Sequence, residues 1–210
     1  MHNRKRWVLA GVPLFLLLSS VALSEDSLWQ KINSEGKELR EQGRYDEAEK
    51  ASSHALAEAE KLGPEDYRVA ISLNELAIVC HLRGRLDDAE RLYRRALGIW
   101  EKLPKRLETA TALSNLARLC LDRTNYAEVE RLSKRALAIL EELSPRHPEV
   151  ANSLHNLADV HALQGRYAAA EPLYREALTI LENSFGPDHP ELAYGLTRLG
   201  RGRLCARSFR

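Results

Sequence analysis

The sequence has little of what enzymes and metalloproteins use for chemistry. It holds three cysteines and seven histidines among 210 residues. No Cys-x-x-Cys or His-Glu-x-x-His spacing occurs, so a zinc site is not indicated. A Gly-x-Ser-x-Gly turn, a phosphate-binding loop and a Gly-x-Gly-x-x-Gly fingerprint are also missing. We therefore predict a protein that is not an enzyme and that uses neither a cofactor nor a metal.

The chain also lacks a surplus of charge. It has 31 basic and 30 acidic residues, which gives a net charge of +1. A chain with so balanced a charge has no global positive field that favours binding to the phosphate backbone of a nucleic acid. We predict no nucleic-acid partner.

What the sequence does have is a repeat at intervals of 40 to 41 residues. A segment that reads Gly-Arg-Tyr-Asp-Glu-Ala-Glu in its first copy begins at Gly43, Gly84, Thr124 and Gly165. A fixed period of this length is typical of stacked arrays, in which each unit buries its apolar face only against its neighbours. The periodicity predicts a scaffold with a long surface.

Each repeat is predicted to be a pair of helices joined by the turn that contains the glycine. Ahead of the turn, apolar residues such as Leu154, Leu157 and Ala158 follow helical spacing. Behind it, alanines recur at matched positions, as at Ala96 and Ala177. Such small side chains let two helices approach closely, so they mark the seam within each pair.

These features resemble the tetratricopeptide repeat, most closely its kinesin-light-chain-like variety. The resemblance rests on Leu-His-Asn-Leu-Ala at 154–158, Gly-Arg-Tyr at 165–167, Ala-Glu-Pro-Leu-Tyr-Arg-Glu-Ala-Leu at 170–178 and Pro-Asp-His-Pro at 187–190. It implies an all-α, right-handed superhelical solenoid of stacked antiparallel helix pairs. The expected repeats are 28–62, 64–103, a divergent third at 105–143, and 147–184.

The two ends differ from the repeats. A basic cluster, an apolar stretch over 7–23 and small residues near Ser24 are typical of a signal peptide at 1–24. This predicts a secreted or periplasmic protein; the alternative is an uncleaved anchor that tethers the array to a membrane. At the other end, 188–203 reads as the first helix of an incomplete fifth repeat and 204–210 as a basic tail. The last helix has three interpretations: a cap, part of a solvated tail, or the start of a longer array.

The resemblance also implies where a partner binds, because the first helices of such arrays line a concave groove. Asparagine is a poor residue for a helix interior, so its recurrence on these helices favours a hydrogen-bonding role towards a peptide; the alternative is that these amides bond within the array or to water. The predicted groove residues are Asn33, Lys37, Asn74, Glu75, Ile78, Ser114, Asn115, Arg118, Asn152, His155, Asn156, Asp159 and Arg198.

The predicted function is a protein interaction scaffold or adaptor that binds a peptide or a partner protein of unknown identity. One alternative is a structural protein that assembles with itself, as a homo-oligomer, through the incomplete C-terminal repeat. A further alternative is an accessory subunit of an enzyme complex.

Overall fold

A computed structural model describes residues 14–104 and 107–208 of the chain, with side chains over 27–104, 107–190 and 192–200. The predicted signal peptide therefore lies outside the described residues up to residue 13, and outside the described side chains from there to residue 24. The same holds for the side chains of the predicted C-terminal tail.

The described residues form helices joined by short turns, and they contain no strand. The helices are α1 (Leu14–Glu41), α2 (Tyr45–Glu60), α3 (Tyr67–Leu82), α4 (Leu86–Trp100), α5 (Leu107–Asp122), α6 (Tyr126–Leu143), α7 (Pro148–Leu163), α8 (Tyr167–Phe185) and α9 (Glu191–Ser208). Consecutive helices pack in antiparallel pairs, α1 with α2 up to α7 with α8, and α9 packs on α8. The prediction of an all-α solenoid of stacked helix pairs is confirmed.

The turn inside each pair has a left-handed residue at the predicted place. Gly43, Gly84 and Gly165 have φ angles of 75°, 75° and 74°, values that glycine adopts without steric cost. Thr124 takes the same place in the third pair with a φ of 58°. A β-branched residue is strained there, so the divergent repeat keeps the turn at a local cost.

The seam of each pair is formed by the small residues that the sequence singled out. Ala48, Ala89, Ala96, Ala136 and Ala177 have no exposed surface. Larger side chains fill the space beside these alanines. Two of them, the side chains of Tyr93 and Tyr174, are almost fully buried. Alternation of small and large side chains allows close packing, which explains why the alanines recur in register.

Rows of ion pairs join neighbouring units along the edge that carries the turns. Arg85 on the second unit lies 2.6 Å from Glu49 on the first. One unit later, Arg123 lies 3.1 Å from Glu90, and Arg166 continues the row to Glu130 of the third unit at 3.4 Å. These charged groups are half-exposed, so each pair contributes about 0–1 kcal/mol.

The end helices extend the array. α1 is continuous from Leu14 to Glu41, so the end of the predicted leader and the first helix of repeat one form a single helix. α9 runs to Ser208, past the predicted end of the fifth first helix at 203. Within the described residues, no helix combines the length and the apolar character that a membrane crossing requires.

Candidate functional site: the concave groove

The first helix of each pair contacts the first helix of the next, from α1 through α3, α5 and α7 to α9. We call the surface formed by these five helices the groove. All thirteen predicted groove residues lie on these helices. They fall into an exposed set (Lys37, Asn152), a partly buried set (Asn33, Ile78, Asn115, Arg118, Arg198) and a buried set (Asn74, Glu75, Ser114, His155, Asn156, Asp159).

A cleft of about 780 Å³ occupies the middle of the groove. Four of the predicted residues line it together: Ile78 from α3, Asn115 and Arg118 from α5, and Asn152 from α7. An apolar side chain, two amides and a guanidinium thus converge from three helices. This is the kind of mixed surface that gives a peptide both contact area and hydrogen bonds.

The asparagines form bonds between neighbouring units. Asn115 Nδ2 donates to Asn74 Oδ1 at 3.2 Å, and Asn156 Nδ2 donates to the carbonyl oxygen of Ser114 at 3.0 Å. The hydroxyls of Ser114 and Ser153 lie 2.8 Å apart. One donor of each of these two amides is therefore engaged inside the array, and Asn156 is itself buried. A role for them in binding a partner remains a prediction.

At the N-terminal end of the groove, two cations share one buried carboxylate. Arg40 Nε lies 3.4 Å from Glu75 Oε2, and Lys37 Nζ lies 3.9 Å from Glu75 Oε1. Neither Arg40 Nε nor Glu75 Oε2 has a hydrogen-bond partner among the described residues, and the buried Oδ1 of Asn33 has none either. We call Lys37, Arg40 and Glu75 the Glu75 cluster.

At the C-terminal end, a second buried carboxylate is held by hydrogen bonds. Tyr174 donates to Asp159 Oδ1 and Tyr194 donates to Asp159 Oδ2, both at 2.5 Å. Arg118 Nη1 lies 3.4 Å from Oδ2, and Arg198 Nε lies 3.6 Å from Oδ1. We call these five residues the Asp159 cluster. It ties α5, α7, α8 and α9 together.

The tyrosine of α9 is also the centre of two cation–π contacts. The guanidinium carbon of Arg118 lies 5.4 Å from the centre of the Tyr194 ring, and that of Arg198 lies 5.0 Å away. Arg118 Nη1 also donates to the Tyr194 hydroxyl at 2.6 Å. Burial raises the pKa of the Tyr194 phenol, and its bond to Asp159 raises the pKa further. The phenol is therefore a neutral donor at physiological pH.

The histidine of this region is a buried neutral residue. Burial lowers the pKa of His155 to about 4, although Asp159 acts in the opposite direction. Its ring lies 5.4 Å from that of Tyr194, and its Nε2 is buried without a hydrogen-bond partner among the described residues. A Cβ on Gly195 would come within 2.8 Å of His155 Nε2, so α9 approaches α7 closely at this point.

Several groove residues were missed by the sequence analysis. Arg40, His81 and Asp122 line the central cleft, and His81 Nε2 lies within hydrogen-bond distance of Asp122 Oδ2, at 2.7 Å. They lie about one helical turn beyond the positions that the resemblance singled out. The spacing of 41 residues between His81 and Asp122, which matches the repeat period, was the signal available for that pair.

Metal binding and thiol chemistry both depend on how histidine, cysteine and acidic side chains are arranged in the described part of the chain. No three histidine, cysteine, aspartate or glutamate side chains in that part of the chain could hold a metal ion together. Cys80 and Cys120 are free and buried, and burial raises the pKa of the Cys120 thiol to about 11. A thiol with so high a pKa is a poor nucleophile at neutral pH.

Known structures share this architecture. BtubC (BKLC) from P. vanneervenii is 23% identical, and the match covers 92% of this chain and 78% of that one with a TM-score of 0.76. A candidate kinesin light chain from Podosopora anserina, with nearly identical TPR-like repeats, is 20% identical; the match covers 87% of this chain and 88% of that one with a TM-score of 0.67. A single-substitution variant of the same protein gives a TM-score of 0.68.

Comparison of sequences leads to the same family. No curated protein matches this chain significantly. The family model described as tetratricopeptide repeat matches four overlapping segments, at residues 39–102, 68–142, 108–183 and 149–208. Repeats of this family are protein–protein interaction scaffolds and are typically non-catalytic. The chain belongs to the tetratricopeptide repeat family, and its repeats have the form found in kinesin-light-chain-like proteins.

Proposed function

We propose that this chain is a non-catalytic adaptor that binds a peptide or a partner protein in its groove. The observation that carries the proposal is the central cleft, where side chains from four first helices surround one space. A ligand that fills it contacts several units at once. Because helices preform the contact positions, little conformational entropy is lost on binding.

Not all predicted residues are equally free to contact a partner. Asn152 is exposed, and Ile78 and Arg118 keep part of their surface accessible. The side chains of Asn156 and Asp159 are buried and bonded within the array. We therefore propose that Ile78, Arg118 and Asn152 carry most of the direct contacts, while the buried polar residues hold the groove in shape.

Site-specific crosslinking in the native cells tests this proposal. A photo-reactive amino acid is placed at Asn152 in the groove or at Lys134, which is exposed on α6 and forms an ion pair at 3.5 Å within that helix. We expect one discrete protein to be captured from position 152, and its capture to be lost on Ile78→Arg, with the helical circular dichroism unchanged. Equal capture from both positions would contradict a groove site.

We further propose that the adaptor acts outside the cytoplasm, either exported or tethered to a membrane by residues 7–23. The support is the order of basic, apolar and small residues in the sequence. Cell fractionation combined with the intact mass of the recovered protein distinguishes the two forms. Loss of residues 1–24 indicates export, and a full-length mass in the membrane fraction indicates an anchor. A full-length protein in the cytoplasmic fraction would contradict both.

A second candidate function is self-assembly through α9. This helix packs on α7 and α8, yet Leu196 on it is 56% exposed. The equivalent residue of the preceding unit, Leu154, is buried. This leucine stands at a core position of the repeat and faces solvent, so it offers an apolar contact to another chain.

A further inference from the structure

Arg118 belongs to the central cleft and to the contact between α5 and α9 at the same time. Its side chain lines the cleft beside residues of α3 and α7, and 38% of its surface is exposed. From the same guanidinium, Nη1 donates to the Tyr194 hydroxyl at 2.6 Å. None of the described residues that line the cleft belongs to α9. The helix that carries Tyr194 is therefore linked to the cleft through Arg118.

The contacts from α9 fix an arginine side chain that would otherwise turn freely. Nη1 of Arg118 lies 2.6 Å from the Tyr194 hydroxyl and 3.4 Å from Asp159 Oδ2, so the phenol is the closer of these two partners. The guanidinium carbon also lies 5.4 Å from the centre of the Tyr194 ring. A ligand that has to order a long side chain binds more weakly than one that finds it in place. Tyr194 thus orders Arg118 before a partner arrives.

The position of Tyr194 is itself set by α7. Its hydroxyl donates to Asp159 Oδ2 at 2.5 Å, and its ring lies 5.4 Å from that of His155. The next residue, Gly195, brings the backbone of α9 close to α7, since a Cβ there would come within 2.8 Å of His155 Nε2. Tyr194 is therefore held by contacts that do not depend on Arg118, which is what a residue that positions another one requires.

We propose that Tyr194 is a positioning residue of the groove, which holds Arg118 in the orientation that a partner in the central cleft requires. The proposal rests on the groove binding proposed above and deepens it, because it makes α9 necessary to a site that α9 does not line. Docking of α9 and binding of the partner then support each other. Coupling between two sites is reciprocal, so each event strengthens the other by the same factor.

The photo-reactive amino acid at position 152 measures this effect in the native cells. Tyr194→Phe keeps the ring and removes only the hydroxyl that bonds to Arg118 and Asp159. We expect capture of the discrete partner to fall roughly fivefold, a typical size for coupling between two sites. Arg118→Ala should lower capture by itself, and Tyr194→Phe should have no further effect in that background. Such a double-mutant cycle isolates the action of the hydroxyl through Arg118.

Tyr174→Phe is the matched control. Tyr174 also donates its hydroxyl to Asp159, at 2.5 Å, but no bond joins it to Arg118 among the described residues. Because Tyr174 is more deeply buried than Tyr194, its loss of a hydroxyl should lower the stability to urea at least as much. It should nevertheless lower capture clearly less, because Arg118 keeps its phenol.

Hydrogen exchange measures the same coupling from the side of α9. The chain recovered with its captured partner should exchange the backbone amides of α9 more slowly than the free chain does. Tyr194→Phe should remove this protection, because the partner then stabilises Arg118 without stabilising α9.

Three results would overturn the positioning role alone. They are a rise in capture with Tyr194→Phe, an equal fall with Tyr174→Phe, and an undiminished effect of Tyr194→Phe in the Arg118→Ala background. A rise would mean that Tyr194 competes with the partner for Arg118. Equal capture from positions 152 and 134 in the chain with Tyr194 intact would contradict groove binding itself. Sedimentation velocity over a range of protein concentrations tests the self-assembly candidate separately, and a strict monomer would contradict it.

Discussion

Glu75 in α3 and Asp159 in α7 are both buried carboxylates of the groove, but they are held in different ways. Asp159 accepts hydrogen bonds from two tyrosine hydroxyls at 2.5 Å. Glu75 has two cations at 3.4 and 3.9 Å, and its Oε2 accepts no hydrogen bond within the described residues. A buried charge is stabilised chiefly by close hydrogen bonds. The contrast indicates that Asp159 contributes more than Glu75 to holding the helices of the array together.

The largest expected effect is that of removing the better-held carboxylate. Asp159→Ala leaves the buried Tyr174 hydroxyl without its acceptor and two guanidiniums without their counter-charge. We expect the free energy of unfolding, measured with urea, to fall by about 3–5 kcal/mol. Glu75→Ala is the matched variant and should cost clearly less, because Lys37 can turn to solvent. Equal losses of unfolding free energy for the two variants would contradict the conclusion that the two carboxylates are held differently.

The second test moves α9, which carries Tyr194 and Arg198, away from Asp159 without changing any charge. Gly195→Ala places a Cβ 2.8 Å from both His155 Nε2 and Leu178 Cδ2. The overpacked contact should push α9 away and lower the free energy of unfolding by about 1–3 kcal/mol. Gly200→Ala is the control, since its Cβ would meet nothing within 4 Å, and it should stabilise the helix by about 0.5–1 kcal/mol. If Gly195→Ala left the free energy of unfolding unchanged, the close approach of α9 to α7 at Gly195 would not be what holds Tyr194 in place.

Acid gives a third test, through the histidine beside Asp159. Unfolded histidine titrates near pH 6.5, and the pKa of buried His155 is lowered to about 4. Between these values the unfolded chain binds a proton that the folded chain does not, so the stability due to neutral His155 is present above pH 6.5 and is lost as the pH falls towards 4. From pH 7 to pH 5, His155→Gln should lose about 2 kcal/mol less than the unmodified chain. Parallel urea-denaturation series would contradict this.

The smallest expected effect is that of neutralising Glu75 while keeping its shape. Glu75→Gln retains an oxygen acceptor and removes a charge that two distant cations hold weakly. We expect the free energy of unfolding to change by less than about 1 kcal/mol. Asp159→Asn, the corresponding change in the other cluster, replaces an acceptor of two tyrosines and should cost about 1–3 kcal/mol. A larger loss of unfolding free energy for Glu75→Gln than for Asp159→Asn would contradict the conclusion that Asp159 contributes more to stability.

The fold was predictable because the residues that determine it act locally and recur in each repeat. Within one unit, glycine permits the turn and alanine permits the close approach of the two helices. Adjacent units are related by the period of 40 to 41 residues. Thr124 shows the strength of this pattern, because it adopts a φ of 58° at the place of the glycines. The array imposes the turn where the residue alone does not favour it.

The bonding within the groove was not predictable in the same way. The hydrogen bond from Asn156 to the carbonyl of Ser114 joins residues that are 42 positions apart in the sequence. It therefore depends on the distance between their two helices. Tyr194, Tyr174 and Asp159 meet because α7, α8 and α9 converge, and no periodic signal in the sequence encodes this meeting of two tyrosines with an aspartate. Family resemblance gave the helix positions of the candidates, whereas which atoms stay free for a partner is decided by tertiary contacts.

The rows of ion pairs along the turn edge have a consequence for the shape of the whole array. Arg85 with Glu49, Arg123 with Glu90 and Arg166 with Glu130 each join one unit to the next, and the three glutamates occupy the same position of the repeat. Individually they add little to stability, and salt screens them. Because all three lie on one edge of the array, weakening them would loosen that edge relative to the other. We expect ionic strength to alter the curvature of the solenoid, and with it the span between distant contact points of a bound chain, while every unit stays folded.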